Sequence, residues 1–159
     1  MNKRALIKKI VTKLMDELDV YLRAAQFSRA EATHESSKAE NKYDTRGLEA
    51  SYLARGQSKQ ALEIKAAITE FENLPVKNFG AGDPIDLGAA VELDHAGECS
   101  VYFIGPRAGG TEVVHDKKEI LVITPQSPLG SQLVGKKIGE TFQLAVGDRK
   151  QAAKIIDVK

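Results

Sequence analysis

The chain's densest run of groups that could do chemistry lies between Glu31 and Glu49. Glu31, Glu35, Glu40, Asp44 and Glu49 alternate there with Lys38, Lys42 and Arg46. Carboxylates gathered at a turn can hold a hard divalent cation, which accepts oxygen ligands and needs few of them from protein. The same spacing has a plainer reading. Glu31/Glu35 and Glu40/Asp44 are four apart, as are the three cations, so on a continuous helix they form rows that support one another by about 0.2–0.5 kcal/mol per opposite-charge pair. Tyr43 and Tyr52 flank the run and read as packing and capping residues. His34, His95 and His115 are scattered without metal-ligand spacing and are assigned to structure or surface. Cys99, the single cysteine, excludes an intramolecular disulfide; inside a strand pattern it is expected to be a buried small hydrophobe. Gly105 to Gly110 is glycine-rich but lacks the strand, lysine and helix of a phosphate loop, and reads as a hairpin connection. No Ser/His/Asp or Cys/His arrangement is evident.

Two kinds of element must position these groups. Before Pro75 there is no proline, and Leu6/Ile7, Ile10/Val11, Leu14, Leu18, Tyr21/Leu22 and Ala25 recur at helical spacing. The next step falls on polar Ser28 and Arg29, so the seam is expected to weaken toward the turn. A second stripe is read through Leu48, Tyr52, Leu62, Ala66 and Phe71, with Ile64 and Ile68 close by. Two successive amphipathic helices cover each other most simply as an antiparallel hairpin of coiled-coil type. Arms of roughly 30 residues would each reach about 45 Å. Leu74-Pro75 ends the second helix.

Beyond it the period changes to two. Strands are expected at 85–87, 89–93, 100–104, 111–114, 120–123, 141–146 and 152–158. Turns are expected at His95-Ala96-Gly97, Gly105-Pro106, Ala108-Gly109-Gly110 and Gly147 to Lys150. Ser127-Pro128 reads as an N-cap with proline at the first position of a short helix through Val134, closed by Gly135. The fold class is α+β: a helical hairpin over 1–75 with its tip near 38–48, then an antiparallel β domain with one short helix over 76–159.

Length and composition fit this. The 159 residues are 42% hydrophobic and 28% charged with a net charge of +1, which supplies no basic face for DNA and no attraction to an acidic membrane. Lys8 and Lys9 cut the N-terminal apolar run short of a secretory h-region, and no segment approaches the ~20 apolar residues of a membrane span. A soluble, cytoplasmic protein is expected.

Ile123 to Gly130, Gln132 to Glu140, Leu87 to Val91, Ile155 to Val158 and Lys13 to Asp19 together resemble the bacterial Gre-type (GreA/GreB) transcription elongation and transcript-cleavage factors. Ile123-Thr124-Pro125-Gln126-Ser127-Pro128-Leu129-Gly130, continuing Gln132-Leu133-Val134-Gly135-Lys136-Lys137-Ile138-Gly139-Glu140, is similar to the family's C-terminal signature. Leu87-Gly88-Ala89-Ala90-Val91 is similar to the start of that domain, Ile155-Ile156-Asp157-Val158 to its end, and Lys13 to Asp19 to the opening of the first helix. The resemblance implies an FKBP-like C-terminal domain docked near the rim of the RNA polymerase secondary channel. It implies a hairpin entering that channel and placing acidic tip residues beside the catalytic Mg²⁺. There the factor would act as a cofactor-like stimulator, not an enzyme, of the polymerase's own cleavage of backtracked RNA. It implies no cofactor in the free protein, Mg²⁺ shared with RNA polymerase in the complex, and allows indirect contact with nascent RNA. Lys136-Lys137 would be either a polymerase contact or a solvated loop.

The family tip carries an aspartate and a glutamate three apart. If Glu40-Asn41 matches the family's Glu-Asn, Ser37 stands at the aspartate position. If Asp44 matches the aspartate, Gly47 stands at the glutamate position and Glu49 and Tyr52 fall slightly out of register. The second register is preferred, with Asp44 at the turn and able to cap the second helix. Asp44, Glu49 and Glu40 are the candidate tip residues, Asp44 and Glu49 those for the Mg²⁺. One expected carboxylate is missing in either register.

Two other functions compete. One is a secondary-channel regulator that binds polymerase without promoting cleavage. The other is an FKBP-type prolyl isomerase or chaperone, for which Leu133 to Glu140 carries a resemblance but the expected aromatic pocket has only Tyr102, Phe103 and Phe142 to draw on.

Overall fold

A computed structural model describes residues 1–34, 45–146 and 149–159. The chain forms two compact units, one of Thr12–Ile68 and one of Met1–Val11 with Thr69–Lys159. Helices α1 (Lys3–Thr33) and α2 (Arg46–Glu72) run through both.

The unit Thr12–Ile68 is the helical hairpin. On α1, Leu14, Ala25 and Ser28 are buried, with Leu18 and Ala32 half-buried between and beyond them. On α2 the inward positions are Ala50, Ala54, Gln57, Ala61, Ile64 and Ile68, spaced alternately four and three apart. That is the a/d repeat of a coiled-coil seam. Ser28 Oγ donates to Gln57 Oε1 at 3.0 Å and ties the two helices together. The step at Ser28, expected to weaken the seam, is therefore 4% exposed and hydrogen-bonded across it.

The second stripe differs from the sequence reading. Leu48, Tyr52 and Leu62 are 55%, 66% and 68% exposed and lie off the seam, while Ala54 and Ala61 are buried in it. The reason is steric: interaxial distance is set by the side chains at the contact, and alanines let the helices close on each other. Phe71 of the same stripe is buried, as is Ile68 beside it, so the reading fails at Leu48, Tyr52 and Leu62 and holds toward the end of α2.

The other unit holds six strands. These are β1 (Ala90–His95), β2 (Glu98–Ile104), β3 (Glu112–His115), β4 (Lys118–Ile123), β5 (Thr141–Val146) and β6 (Arg149–Val158). A short helix, α3 (Gly130–Leu133), precedes β5. The sheet order is β3-β4-β2-β1-β6-β5. All neighbours are antiparallel except β2 and β4, which run parallel with Val101 opposite Ile120, so the sheet is mixed where an antiparallel one was expected. The parallel pair arises because the connection after β2 crosses to the sheet edge, where β3 turns back into β4. Ala96 and Gly97 join β1 to β2 with φ of 53° and 87°, the left-handed pair a tight two-residue hairpin requires. The turn expected over Gly147 to Lys150 falls partly outside the described residues.

One face of the sheet packs Val91, Leu93, Ile104, Ile123, Phe142, Ile155 and Val158 against Ile85 and Leu133. On the other face Phe103 meets Phe71 from the end of α2, ring centroids 6.4 Å apart. Lys9 Nζ donates to the Val114 carbonyl at 2.8 Å, fastening the first turns of α1 to β3. The strand expected at 85–87 does not form. Ile85 exchanges backbone hydrogen bonds with Gly135 and Lys136 (2.8 and 2.7 Å), which anchors it as a core plug beside α3.

The short helix spans Gly130–Leu133, starting later and ending one residue earlier than expected, and its N-cap is Leu129, without a side-chain cap bond. Ser127 Oγ instead holds the turn before it, accepting the Gly130 N–H at 3.0 Å. A Cβ at Gly130 would stand 1.9 Å from the Thr124 carbonyl oxygen, so only glycine fits this corner.

Candidate functional site

Of the three candidate tip residues, Glu49 lies among the described residues; Asp44 and Glu40 lie outside them, as does Tyr43. The Thr45 carbonyl accepts the Glu49 N–H at 2.8 Å, the first backbone bond of α2, so Thr45 occupies the capping position. Its hydroxyl donates to Glu49 Oε1 at 2.6 Å. Glu49 is the acidic residue of the first turn of α2, where the helix dipole favours negative charge. The carboxylate is exposed and tethered toward the helix N-terminus.

Glu49 thus offers hard oxygen in a fixed direction. That donor type fits Mg²⁺, which takes one or two protein carboxylates and completes its shell with water and phosphate. Among the described residues no group of three or more His, Cys, Asp or Glu is arranged to hold a metal. Thr45 was not singled out in the sequence; the signal was a Ser/Thr-type capping residue four positions ahead of an acid, at the start of a helical run. Leu48, Tyr52 and Leu53 surround Glu49 on exposed surface, and Tyr52 is therefore neither the packing nor the capping residue expected.

The remaining groups are placed in the sheet unit. Cys99 is exposed, contrary to expectation. It shares the inward parity of Val101 and Phe103, but the β2–β4 pairing begins only at Val101, and Cys99 stands short of it on the wall of an open cavity. His115 is 4% exposed, its Nε2 3.4 Å from Asp116 Oδ2, while His34 is exposed and His95 half-buried.

A cavity of about 490 Å³ opens at the start of β2 and β4, lined by Glu92, Cys99, Tyr102, Lys118 and Leu121 among others. Lys118 Nζ reaches both Glu92 oxygens at 2.7 Å, and that carboxylate holds the lysine above its ordinary 10.5. The lining is charged and has one aromatic ring. Phe103 is fully buried and Phe142 nearly so.

Lys3 is 6% exposed. Its Nζ donates to the carbonyls of Lys77 and Gly88 (3.3 Å to the latter) and lies 4.6 Å from the Phe79 ring centroid. Burial pushes it below the usual lysine range. It pins the segment leading into the sheet to the first turn of α1.

Residues 81–159 match the family model described as "Transcription elongation factor, GreA/GreB, C-term", a span that takes in the whole sheet. The chain belongs to the GreA/GreB family as a divergent member. Among curated proteins none matches the sequence. Similar solved structures include GreA factor homolog 1 (Gfh1) of Thermus thermophilus, at 22% identity over 94% of each chain with a TM-score of 0.40. Gfh1 of Thermus aquaticus is 22% identical over 95% of this chain and 94% of that one, TM-score 0.41. A GreA/GreB elongation factor from Nitrosomonas europaea is 15% identical over 60% and 78%, TM-score 0.34. No described helix is long and apolar enough to cross a membrane.

Proposed function

We propose that this protein is an RNA polymerase-binding elongation factor. In this reading the hairpin enters the secondary channel and its tip carboxylates stimulate the polymerase's own hydrolysis of backtracked RNA. The observation that carries the reading is Glu49, an exposed carboxylate held by the Thr45 hydroxyl at the start of α2. Glu49 and Asp44 would share a Mg²⁺ with the polymerase site, and Glu40 would add negative charge nearby. When bound, that ion would activate water and stabilise the leaving oxygen. The chain's own part is to orient carboxylate oxygens and bring them to the reacting phosphate. The factor alone is not an enzyme in this account. Membership of an elongation-factor family supports the polymerase as partner.

A second reading keeps the polymerase and drops the cleavage. It is favoured by Gly47 or Ser37 standing where the resemblance implies an acid. Alanine at Glu49 and Asp44 separates the two. Cleavage stimulation lost with polymerase affinity retained supports the first; a wild-type factor that binds and never accelerates cleavage establishes the second. Failure to bind polymerase at all would refute both.

A further inference from the structure

We infer that the outer edge of β5 is a self-association surface, on which a second copy of this chain adds its own β5 antiparallel to the first. A sheet edge presents unpaired N–H and C=O groups, and natural edges are blunted by charge, proline, shortness or a cover. The two edges of this sheet differ in that respect. β3 is four residues long, carries Glu112, and has its Val114 carbonyl taken by Lys9 Nζ. β5 is Thr-Phe-Gln-Leu-Ala-Val, six residues without charge, proline or glycine, and among the described residues no strand lies beyond it.

The hydrogen-bond phase decides the register. Ile155 N–H donates to the Glu140 carbonyl at 3.0 Å, and the pairing continues with Phe142 opposite Ala153 and Leu144 opposite Gln151. Bonded pairs alternate along an antiparallel ladder, so Phe142 and Leu144 turn their backbone groups toward β6. Thr141, Gln143 and Ala145 turn theirs outward. A two-fold axis through Gln143 maps this outward set onto itself: Gln143 pairs with its own copy and Thr141 with the partner's Ala145. The same operation sets Phe142 beside the partner's Leu144 on the core face, where both side chains already border the hydrophobic cluster. No charge opposes its like, and the two sheets join with their core faces continuous. Such an isologous contact is closed and stops at two copies.

The paired edge is one short strand, so the buried area falls below the roughly 1,200 Å² of a stable interface and the dimer is weak and concentration-dependent. Amide hydrogen exchange on the full chain between about 20 µM and about 1 mM tests it, with slowing on the order of tenfold at Thr141, Gln143 and Ala145 as the concentration rises. Phe142 and Leu144, already bonded to β6, hold constant. Gln143→Lys, which sets two ammonium groups face to face at the axis, abolishes the concentration dependence while Phe142 and Leu144 stay protected. Gln143→Glu, which sets two carboxylates at the same place, does the same should the first variant fold poorly. Fast exchange at the three outward amides at every concentration would overturn the inference. So would slow exchange that ignores concentration, or a dimer whose protected amides lie elsewhere.

Discussion

At the scale of single residues, the account turns on what holds each side chain where it is. Thr45→Val keeps the capping carbonyl but removes the hydroxyl that orients Glu49, so cleavage stimulation is expected to fall less than with Glu49→Ala, at unchanged polymerase affinity. A dose-response of fragment release for both variants checks this. Gly130→Ala drives a methyl into the Thr124 carbonyl, and a loss of about 3 kcal/mol or more is expected from chemical denaturation, at or above the upper end of ordinary overpacking. Two lysines give opposite pH behaviour. Lys118 is raised by Glu92, so its contribution is full below the ordinary 10.5 and is lost as pH rises through the higher folded value. Lys3 is lowered by burial, so its contribution is lost as pH falls through the depressed value and recovers toward 10.5. Denaturant midpoints followed up into the alkaline range should therefore drop less for Lys118→Met than for wild type, and more for Lys3→Met. Glu49 is a candidate only through a family resemblance, because a row of alternating charges is equally an ordinary solvated helix face. Lys3 and Cys99 were not legible. A buried lysine needs carbonyls from Lys77 and Gly88 that sequence distance hides, and the exposure of Cys99 depends on where β4 begins to pair.

At the scale of elements, the hairpin and the strand order in sequence followed from a change of period, three to four before Pro75 and two after it. The inward face of α2 followed at Ile68 and Phe71 but not at Ala54 and Ala61, because an alanine seam carries little hydrophobic signal. Denaturation of three variants distinguishes the faces: Ala54→Leu and Ala61→Leu should each cost about 1–3 kcal/mol by overpacking the seam. Leu62→Ala, at 68% exposure, should stay within about 0.5 kcal/mol of wild type. Ser28→Ala removes the side-chain bond from Ser28 to Gln57 across the seam and should cost about 0.5–1.5 kcal/mol. The parallel β2–β4 pair was hidden for a different reason. Short alternating runs declare strands but not partners, and strand direction is fixed by connections whose path the pattern does not contain.

At the scale of the whole molecule, the family is carried by the C-terminal half, and the proposed chemistry by the candidate carboxylates between Glu40 and Glu49. A match over 81–159 assigns the sheet unit to GreA/GreB, while the residues proposed to act lie at 40–49. Whether the factor cleaves or only regulates therefore rests on the tip's own carboxylates, and the most direct measurement follows from their proposed work on Mg²⁺. The rate of 3′-fragment release from a backtracked polymerase complex would be taken as a function of Mg²⁺ concentration, with saturating wild-type factor, Glu49→Gln, and none. The account predicts faster release at half-saturation by less Mg²⁺ with wild type, and a return toward the factor-free curve with Glu49→Gln. A bound wild-type factor that leaves both the rate and the Mg²⁺ dependence where they stand without it would contradict the account.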